Sequence, residues 1–494
     1  MDRKITGKLF AWKNKEHHRP LLVLGCRQCG KTYSVTEFAK SYENHIYINF
    51  EKDPSKKAIF EGDLSTALLL EKIKLASDTE YVQGKTLLVF DEIQLSPGAM
   101  SSLKSFASDG ITDIVAMGSF LGVVLGNENE DTAPDHESPV GFVDIERMYP
   151  MDFEEFCWAM GVNKDIIGMV TQALADQKEV DKYINHVLSD LFRRYIVVGG
   201  MPAAVEEYAK SKDYPSVRRI QENILLILKN DAGRYSDRAD KDRIIDCMDS
   251  IPIQLASDKR SFEYGSILKS KQGYGKREYG SALHWLETAG ISIRSYNMTT
   301  PSAPVDAYTK ADSFRVFLND TGLLVSMMDA TTASEVVNHD PYANNGALME
   351  NTIASALVKK GYRLRYYSKS DSTLEIDFVL NTGENITLLE VKSGRKKRSK
   401  SLSTLLSSQT NRKGIKAAES NVSVDEKGIL HLPLYGICFL PDAPIPEFDS
   451  VDVEELNRRY EGMRNRNPPV LRRKRLLVDL SGKVLWCRSV SEML

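Results

Sequence analysis

The chain has 494 residues, 27% of them charged, with a net charge of −3 and six cysteines. That length exceeds one ordinary core, so about two to four domains are expected. The near-neutral balance excludes a protein that coats nucleic acid with its whole surface, though not local basic patches, and so few cysteines build no disulfide framework, which fits a reducing compartment.

The first residues, Met1-Asp-Arg-Lys-Ile-Thr6, hold no apolar signal segment. The longest apolar run, Ile114 to Gly126, falls short of the roughly 20 residues that span a bilayer, so a cytoplasmic protein without a membrane partner is expected. Pro20-Leu-Leu-Val-Leu-Gly-Cys-Arg-Gln-Cys-Gly-Lys-Thr32 then sets a phosphate-binding loop directly after a short apolar strand. Gly25 and Gly30 allow the backbone of Gly25, Cys26, Arg27, Gln28, Cys29 and Gly30 to curl so that its N–H groups face an anion. Lys31 reaches the β- and γ-phosphates, the Thr32 hydroxyl ligates Mg²⁺, and a helix from Tyr33 to Lys40 points its positive end at the same place. Cys26 and Cys29 have metal-ligand spacing, but zinc there would compete with phosphate. Coincidence is the reading, with oxidation of the pair as the alternative.

Downstream, Ile46-Tyr-Ile-Asn-Phe-Glu51 reads as a second strand and Thr86-Leu-Leu-Val-Phe-Asp-Glu92 as a buried strand that delivers two carboxylates to the sheet edge. Asp91 would hold Mg²⁺ through water, and Glu92 would orient and deprotonate the attacking water, which favours hydrolysis over passive binding. Asp113 to Ser119 and Val143 to Tyr149 extend a doubly wound parallel sheet. Ser119, at the tip of the strand beside the acidic pair, is either a sensor of the γ-phosphate or a plain helix cap.

Taken in order, Gly-Cys-Arg-Gln-Cys-Gly-Lys-Thr32, Ile-Asn-Phe-Glu51, Val-Phe-Asp-Glu92, Met-Gly-Ser119, Tyr-Pro-Met-Asp-Phe-Glu-Glu-Phe156 and Val-Gly-Gly-Met-Pro202 resemble a prokaryotic family of AAA-type ATPases with a C-terminal domain of unknown function. The similarity runs from residue 1 to about 440. Arg147, Arg193 and Arg194 are available as an arginine finger, and spacing does not choose among them.

Residues 165–240 read as helices, the place of a lid, interrupted at Gly199-Gly200-Met-Pro202. Next come three short helices, around Ile244, Tyr264 and Tyr279 to Gly290, and a hairpin of Ile291 to Tyr296 with Phe314 to Leu318. This is a winged-helix pattern, with Lys269, Lys271, Lys276 and Arg277 opening the third helix, and it serves either DNA or protein contact. Residues 340–440 carry Glu350 on a helix, Asp377 on a strand, and Glu390 and Lys392 on one face of the next. That layout resembles the restriction-endonuclease-like fold, in which Asp377, Glu390 and Glu350 would bind Mg²⁺ and Lys392 would activate water. The basic run Gly394-Arg-Lys-Lys-Arg-Ser-Lys400, with Arg412, Lys413 and Lys416, is either a solvated stretch or a grip on a DNA or RNA backbone. A basic tail ends in a hairpin from Leu476 to Cys487.

The expected architecture is α/β: a P-loop NTPase (AAA-like) core at 1–162, a helical lid at 163–240, a winged-helix-like domain at 241–330, a restriction-endonuclease-like α/β domain at 331–440 and a basic extension at 441–494. ATP and Mg²⁺ are the expected cofactors. DNA or RNA, and a protein partner or second copy, are the expected partners. An ATP-driven nucleic-acid module, a protein-interaction switch and an ATP-coupled nuclease are the readings left open.

Overall fold

The computed structural model describes residues 1–119, 141–232, 238–257, 260–267, 275–338, 346–369, 374–383, 385–392, 400–407 and 412–444, and strands at 476–478 and 484–486. They belong to two units, Met1–Ala443 and Pro444–Leu494. Among the described residues no helix is long and apolar enough to cross a membrane.

In the first unit β1 (Leu21–Gly25), β2 (Asn44–Asn49), β3 (Thr86–Asp91), β4 (Ile114–Gly118) and β5 (Asp144–Met148) form a parallel sheet in the order β2-β3-β4-β1-β5. Strand alternation splits its apolar residues between two cores. Leu21, Val23, Val89 and Val115 pack with α1 (Lys4–Lys13) and α2 (Lys31–Ala39). Leu22, Leu24, Phe90 and Ala116 pack with α3 (Thr66–Leu75) and α4 (Pro97–Asp109). Burial on both faces explains why the central strands read as unbroken apolar runs, whereas edge strand β5 turns Ile145 and Arg147 outward. The strand order reverses between β1 and β4, which opens a crevice at the carboxyl edge.

α5 (Phe153–Ala159) starts with a capping box: Asp152 accepts from the Glu155 N–H at 2.9 Å, and Glu155 accepts from the Asp152 N–H at 3.0 Å. The expected helices follow as α6 (Lys164–Ala175), α7 (Lys182–Val198), α8 (Pro202–Ser211) and α9 (Tyr214–Asp231). Between α7 and α8 the Gly199-Gly200 pair is required by close approach. A Cβ on Gly200 would lie 2.0 Å from the Met151 carbonyl oxygen, and Gly199 has φ +72° with Asp320 where its side chain would go.

Not every part of the expected winged-helix pattern is present. α10 (Arg238–Ala256) and α11 (Lys276–Thr288) are present, as is an antiparallel hairpin of β6 (Ser292–Met298) and β7 (Thr309–Leu318). The middle helix is instead a single 3-10 turn, Tyr264–Ser266, centred on Gly265, which lowers helix propensity; Lys269 and Lys271 lie outside the described residues. Nor is the hairpin a free wing. Past α12 (Thr321–Ser326), α13 (Thr332–Val337) and α14 (Gly346–Lys359), β8 (Arg365–Ser368) pairs in parallel with β6 and then with β9 (Glu375–Ile376). The four strands make one sheet, β7-β6-β8-β9.

A third sheet is mixed: β10 (Phe378–Asn381), β11 (Ile386–Val391), β12 (Arg412–Ala418), β13 (Ser423–Val424) and β14 (Leu430–Pro433), in the order β10-β11-β12-β14-β13, with α15 (Lys400–Ser407) between β11 and β12 in the chain. In the second unit β15 (Leu476–Val478) and β16 (Val484–Trp486) form an antiparallel hairpin.

Candidate functional site

The loop after β1 is shaped by exclusion. A Cβ on Gly25 would sit 2.3 Å from the Met148 carbonyl oxygen, so only glycine lets the end of β1 run this close to β5. Gln28 (φ 65°) and Gly30 (φ 96°) take the left-handed conformation that curls the loop into α2. Lys31 lies across it, with Nζ donating to the carbonyls of Gly25 at 2.8 Å and Cys26 at 3.0 Å. α2 begins at Lys31, so its unpaired N–H groups open onto the same cradle.

Thr32 Oγ1 donates to Asp91 Oδ2 at 3.0 Å, joining the loop to β3. Asp91 is 4% exposed and also accepts from Tyr47 Oη, from Asn49 Nδ2 at 3.3 Å and from the Glu92 N–H at 2.9 Å. Burial and then Asp91 push the Tyr47 phenol well above its ordinary range, so it stays a donor. The sequence reading missed Tyr47 and Asn49. Their signal was present, since alternation places both on one face of β2 and the register sets Asn49 opposite Asp91. Glu92 has a left-handed backbone, φ 53°, uncommon outside glycine, and its Oε2 accepts from Gln94 Nε2 at 2.5 Å. Ser119 directly follows β4, at the same carboxyl edge.

A cleft of about 430 Å³ lies over these groups, lined among others by Arg3, Lys31, Thr32, Glu92 and Pro202. Arg3, which the sequence reading passed over, is a buttress at 9% exposure. It donates to the Cys29 carbonyl at 2.8 Å, the Tyr149 carbonyl at 2.7 Å and Glu155 Oε1 at 3.0 Å, tying the loop to β5 and α5. Arg27 Nε lies 2.6 Å from Asp231 Oδ2 at the end of α9. Cys26 and Cys29 are both buried, free thiols. A hydrogen bond from Cys26, with Lys31 and Arg3 nearby, holds Cys29 below the usual thiol range, and the same contact together with burial pushes Cys26 up. Of the three candidate fingers, Arg193 pairs with Glu419 at 3.2 Å and Arg194 with Asp190 at 2.8 Å; Arg147 lies on the outer edge of β5.

These residues fit a magnesium nucleotide. The left-handed Gln28 and Gly30 curl the loop around the start of α2, Lys31 brings a charge to it, and Thr32 with Asp91 offers paired hard oxygens.

The second cluster lies where the sequence placed it and is arranged differently. Glu350 is on α14, Asp377 sits between β9 and β10, and the Phe378–Leu389 pairing brings Asp377 beside Glu390 of β11. Lys392 Nζ contacts Glu390 Oε1 at 2.6 Å. Among them stands Arg315 of β7, 1% exposed, with Nη1 3.6 Å from Glu350 Oε2 and 4.0 Å from Asp377 Oδ1, and Nη2 on Glu375. Burial and Glu350 raise the Asp377 carboxyl to about 7 against Arg315 and Lys392. Among the described residues no group of three or more His, Cys, Asp or Glu side chains could hold a metal ion. The expected Mg²⁺ shell of Glu350, Asp377 and Glu390 therefore does not fit as the side chains stand, because a guanidinium lies against two of the three. The sequence signal was an arginine inside the buried strand run Phe314-Arg-Val-Phe-Leu318.

Of the expected nucleic-acid contacts, Lys276 pairs with Asp312 at 3.0 Å on the surface and Arg277 is exposed. Arg412 is tied back to the Leu405 carbonyl at 2.9 Å, while Lys413 is exposed and Lys416 partly so. Residues 393–399 and the tail arginines lie outside the described residues, and Lys400 begins α15.

Family models match three stretches: an AAA domain at 17–157, the domain of unknown function DUF8612 at 189–334 and the domain of unknown function DUF4143 at 345–435. No curated protein matches the chain. Solved structures with some likeness include the Walker-type ATPase PABY2304 of Pyrococcus abyssi, 14% identical, covering 66% of this chain and 95% of that one at a TM-score of 0.40. The Aeropyrum pernix ORC1 protein in complex with DNA is 16% identical, covering 69% and 91% at a TM-score of 0.26. AMPPCP-bound DnaA from Aquifex aeolicus is 12% identical, covering 56% and 74% at 0.25.

Proposed function

We propose that this chain, which belongs to the AAA-type P-loop ATPases that carry domains of unknown function, hydrolyses ATP with Mg²⁺ and uses the cycle to change how its C-terminal module meets a nucleic acid. The observation that carries the reading is the Thr32–Asp91 contact at 3.0 Å, with Glu92 following Asp91 directly. Lys31 exchanges its loop carbonyls for phosphate oxygens, so its charge is offset in either state. Asp91 is held in place by Tyr47 and Asn49. Mg²⁺ bound beside it would neutralise charge that develops on the phosphates. Glu92, turned by its left-handed backbone and held by Gln94, takes the proton of the attacking water, and Ser119 at the neighbouring strand tip is the proposed sensor.

Two contacts support coupling. Gly290, in the turn from α11 to β6, packs against the back of the loop, where a Cβ would lie 3.7 Å from Cys26 Cβ. Arg27 ties the loop's outer side to α9. Exposed Lys413 and the basic residues of 394–400 supply the chemistry of backbone binding. With Arg193 and Arg194 engaged inside the chain, a partner molecule or second copy is the proposed source of a finger.

The test is phosphate release by purified protein with ATP and Mg²⁺, with and without DNA. Lys31→Ala loses nucleotide binding or turnover, whereas Glu92→Gln keeps binding and lowers turnover at least about 100-fold, since it acts only as water attacks. Unchanged turnover in Glu92→Gln would remove it as the base. Lys413→Glu with Lys416→Glu should weaken DNA binding alike for unrelated sequences and flatten its salt dependence. Absence of DNA or RNA affinity in the intact protein at low salt would instead favour the protein-interaction switch.

A further inference from the structure

We propose that Arg315 is the resident cation of the acidic centre made by Glu350, Asp377 and Glu390, standing where a metal-dependent nuclease holds its divalent ion, so that this module contacts its partner without cutting phosphodiester bonds. The proposal concerns the C-terminal site alone and stands whether or not ATP is hydrolysed.

Arg315 is fixed by its strand. It lies near the end of β7, flanked by buried Phe314 and Val316, and its guanidinium stacks 4.3 Å over the Tyr366 ring. A buried guanidinium is costly unless paired, and its fork of donors suits several carboxylates at once, as a lysine would not. The partners come from three elements: Glu350 from α14, Glu375 from β9 and Asp377 from the β9–β10 junction.

One oxygen of each of the centre's three carboxylates is committed elsewhere. Glu350 Oε1 accepts from Arg260, Asp377 Oδ2 from the Val391 N–H at 2.8 Å, and Glu390 Oε1 from Lys392. Glu390 Oε2 is buried with no hydrogen-bond partner, as are Nε and Nη1 of Arg315, which meets Glu350 Oε2 and Asp377 Oδ1 by charge at 3.6 and 4.0 Å. An ion on Glu390 Oε2 would also need Asp377 or Glu350 within about 2.1 Å. Arg315 already lies against both, and two cations this close repel strongly in a water-poor interior. Lys392, the expected activator of water, is likewise spent on Glu390 at 2.6 Å.

The test uses the full, nucleotide-free chain and Mn²⁺ followed by electron paramagnetic resonance, beside thermal unfolding and plasmid nicking. Wild type is expected to show no Mn²⁺ site that Asp377→Asn removes, and no nicking that Asp377→Asn abolishes; either one would overturn the proposal. Arg315→Gln removes the buried charge shared by Glu350, Glu375 and Asp377 and should lower Tm by about 5 °C or more, with millimolar Mn²⁺ or Ca²⁺ recovering part of the loss. If Arg315→Gln fails to fold, adding Asp377→Asn or Glu350→Gln should restore soluble protein. Arg315→Gln with unchanged Tm and no response to metal would show that no charge there needed Arg315. Failure of the second substitution to restore folding would overturn the idea equally.

Discussion

Arg3 offers a sharp check on how the nucleotide loop is held. Arg3→Ala removes three donors at once, to Cys29, Tyr149 and Glu155, from a side chain with 7% exposure whose partner carboxylate has 6%. Glu155 keeps the N–H groups of Lys4 at 2.6 Å and Asp152 at 3.0 Å but loses its buried counter-charge. Removing one partner of such a pair costs about 3–5 kcal/mol. The effect on ATP is separate, because the Cys29 carbonyl loses its tether and the loop must be ordered when nucleotide binds. If that ordering costs about 1.4 kcal/mol, affinity falls roughly tenfold.

Arg3→Lys separates the two effects. A single ammonium can stay with Glu155 but cannot reach both carbonyls, so it should recover most of the stability and little of the affinity. Urea unfolding and titration of a fluorescent ATP analogue measure the two quantities. The reasoning fails if Arg3→Ala shifts stability by less than about 0.5 kcal/mol, the range of an ordinary surface change, with affinity within twofold of wild type.

Cys29 is held below the usual thiol range but is fully buried, so methyl methanethiosulfonate should reach it only when the loop opens, and nucleotide seated on the loop should slow the reaction. Mass spectrometry of the loop peptide checks this, and a rate unchanged by saturating ATP would contradict it. Asp231→Asn cuts the Arg27 contact at 2.6 Å, and should abolish ATP-dependent slowing of amide exchange at the last turn of α9 while ATP affinity changes less than about threefold. Persistence of that slowing would mean α9 reads the nucleotide by another route.

What the sequence made legible was what lies close together along it. The loop, its strand and its helix occupy residues 20–40, and residue types there have local reasons, as the φ of Gly30 at the start of the helix shows. Asp91 and Glu92 were readable because a buried strand that ends in carboxylates is unusual. Arg3 was not, because its partner Glu155 lies 152 residues away, and an arginine near the start of a helix carries no local sign of burial. Arg315 was hidden in the same way: the run around it reads as an apolar strand, and its partners come from three separate elements. The pairing of β6 with β8 likewise joins segments about 70 residues apart, which no hairpin signal announces.

How nucleotide could act on the C-terminal module is constrained by the way α14 meets the ATPase half. Lys359, at the end of α14, is half-buried, and its Nζ donates to the Met151 carbonyl at 3.2 Å and to Tyr195 Oη at 3.3 Å, while Tyr195 donates to Met151 at 2.8 Å. Desolvation pulls the Lys359 ammonium below its ordinary range, against the nearby carboxylates of Asp320, Asp152 and Glu155. Asp320 in turn accepts from the Gly200 N–H at 2.6 Å and caps α12 through the Leu323 N–H at 3.0 Å. Swinging α14 away as a body would break the two Lys359 bonds together with those of Asn351 to Leu318 and of Ser355 to Asn319, a cost that one nucleotide's differential affinity for two states would have to cover alone. Small displacements of the loop against Gly290 and of Arg27 against Asp231 leave that junction closed. Under the proposed coupling, a nucleotide signal is expected to reach the C-terminal module by shear through α9, α11 and β6 rather than by release of a tethered domain.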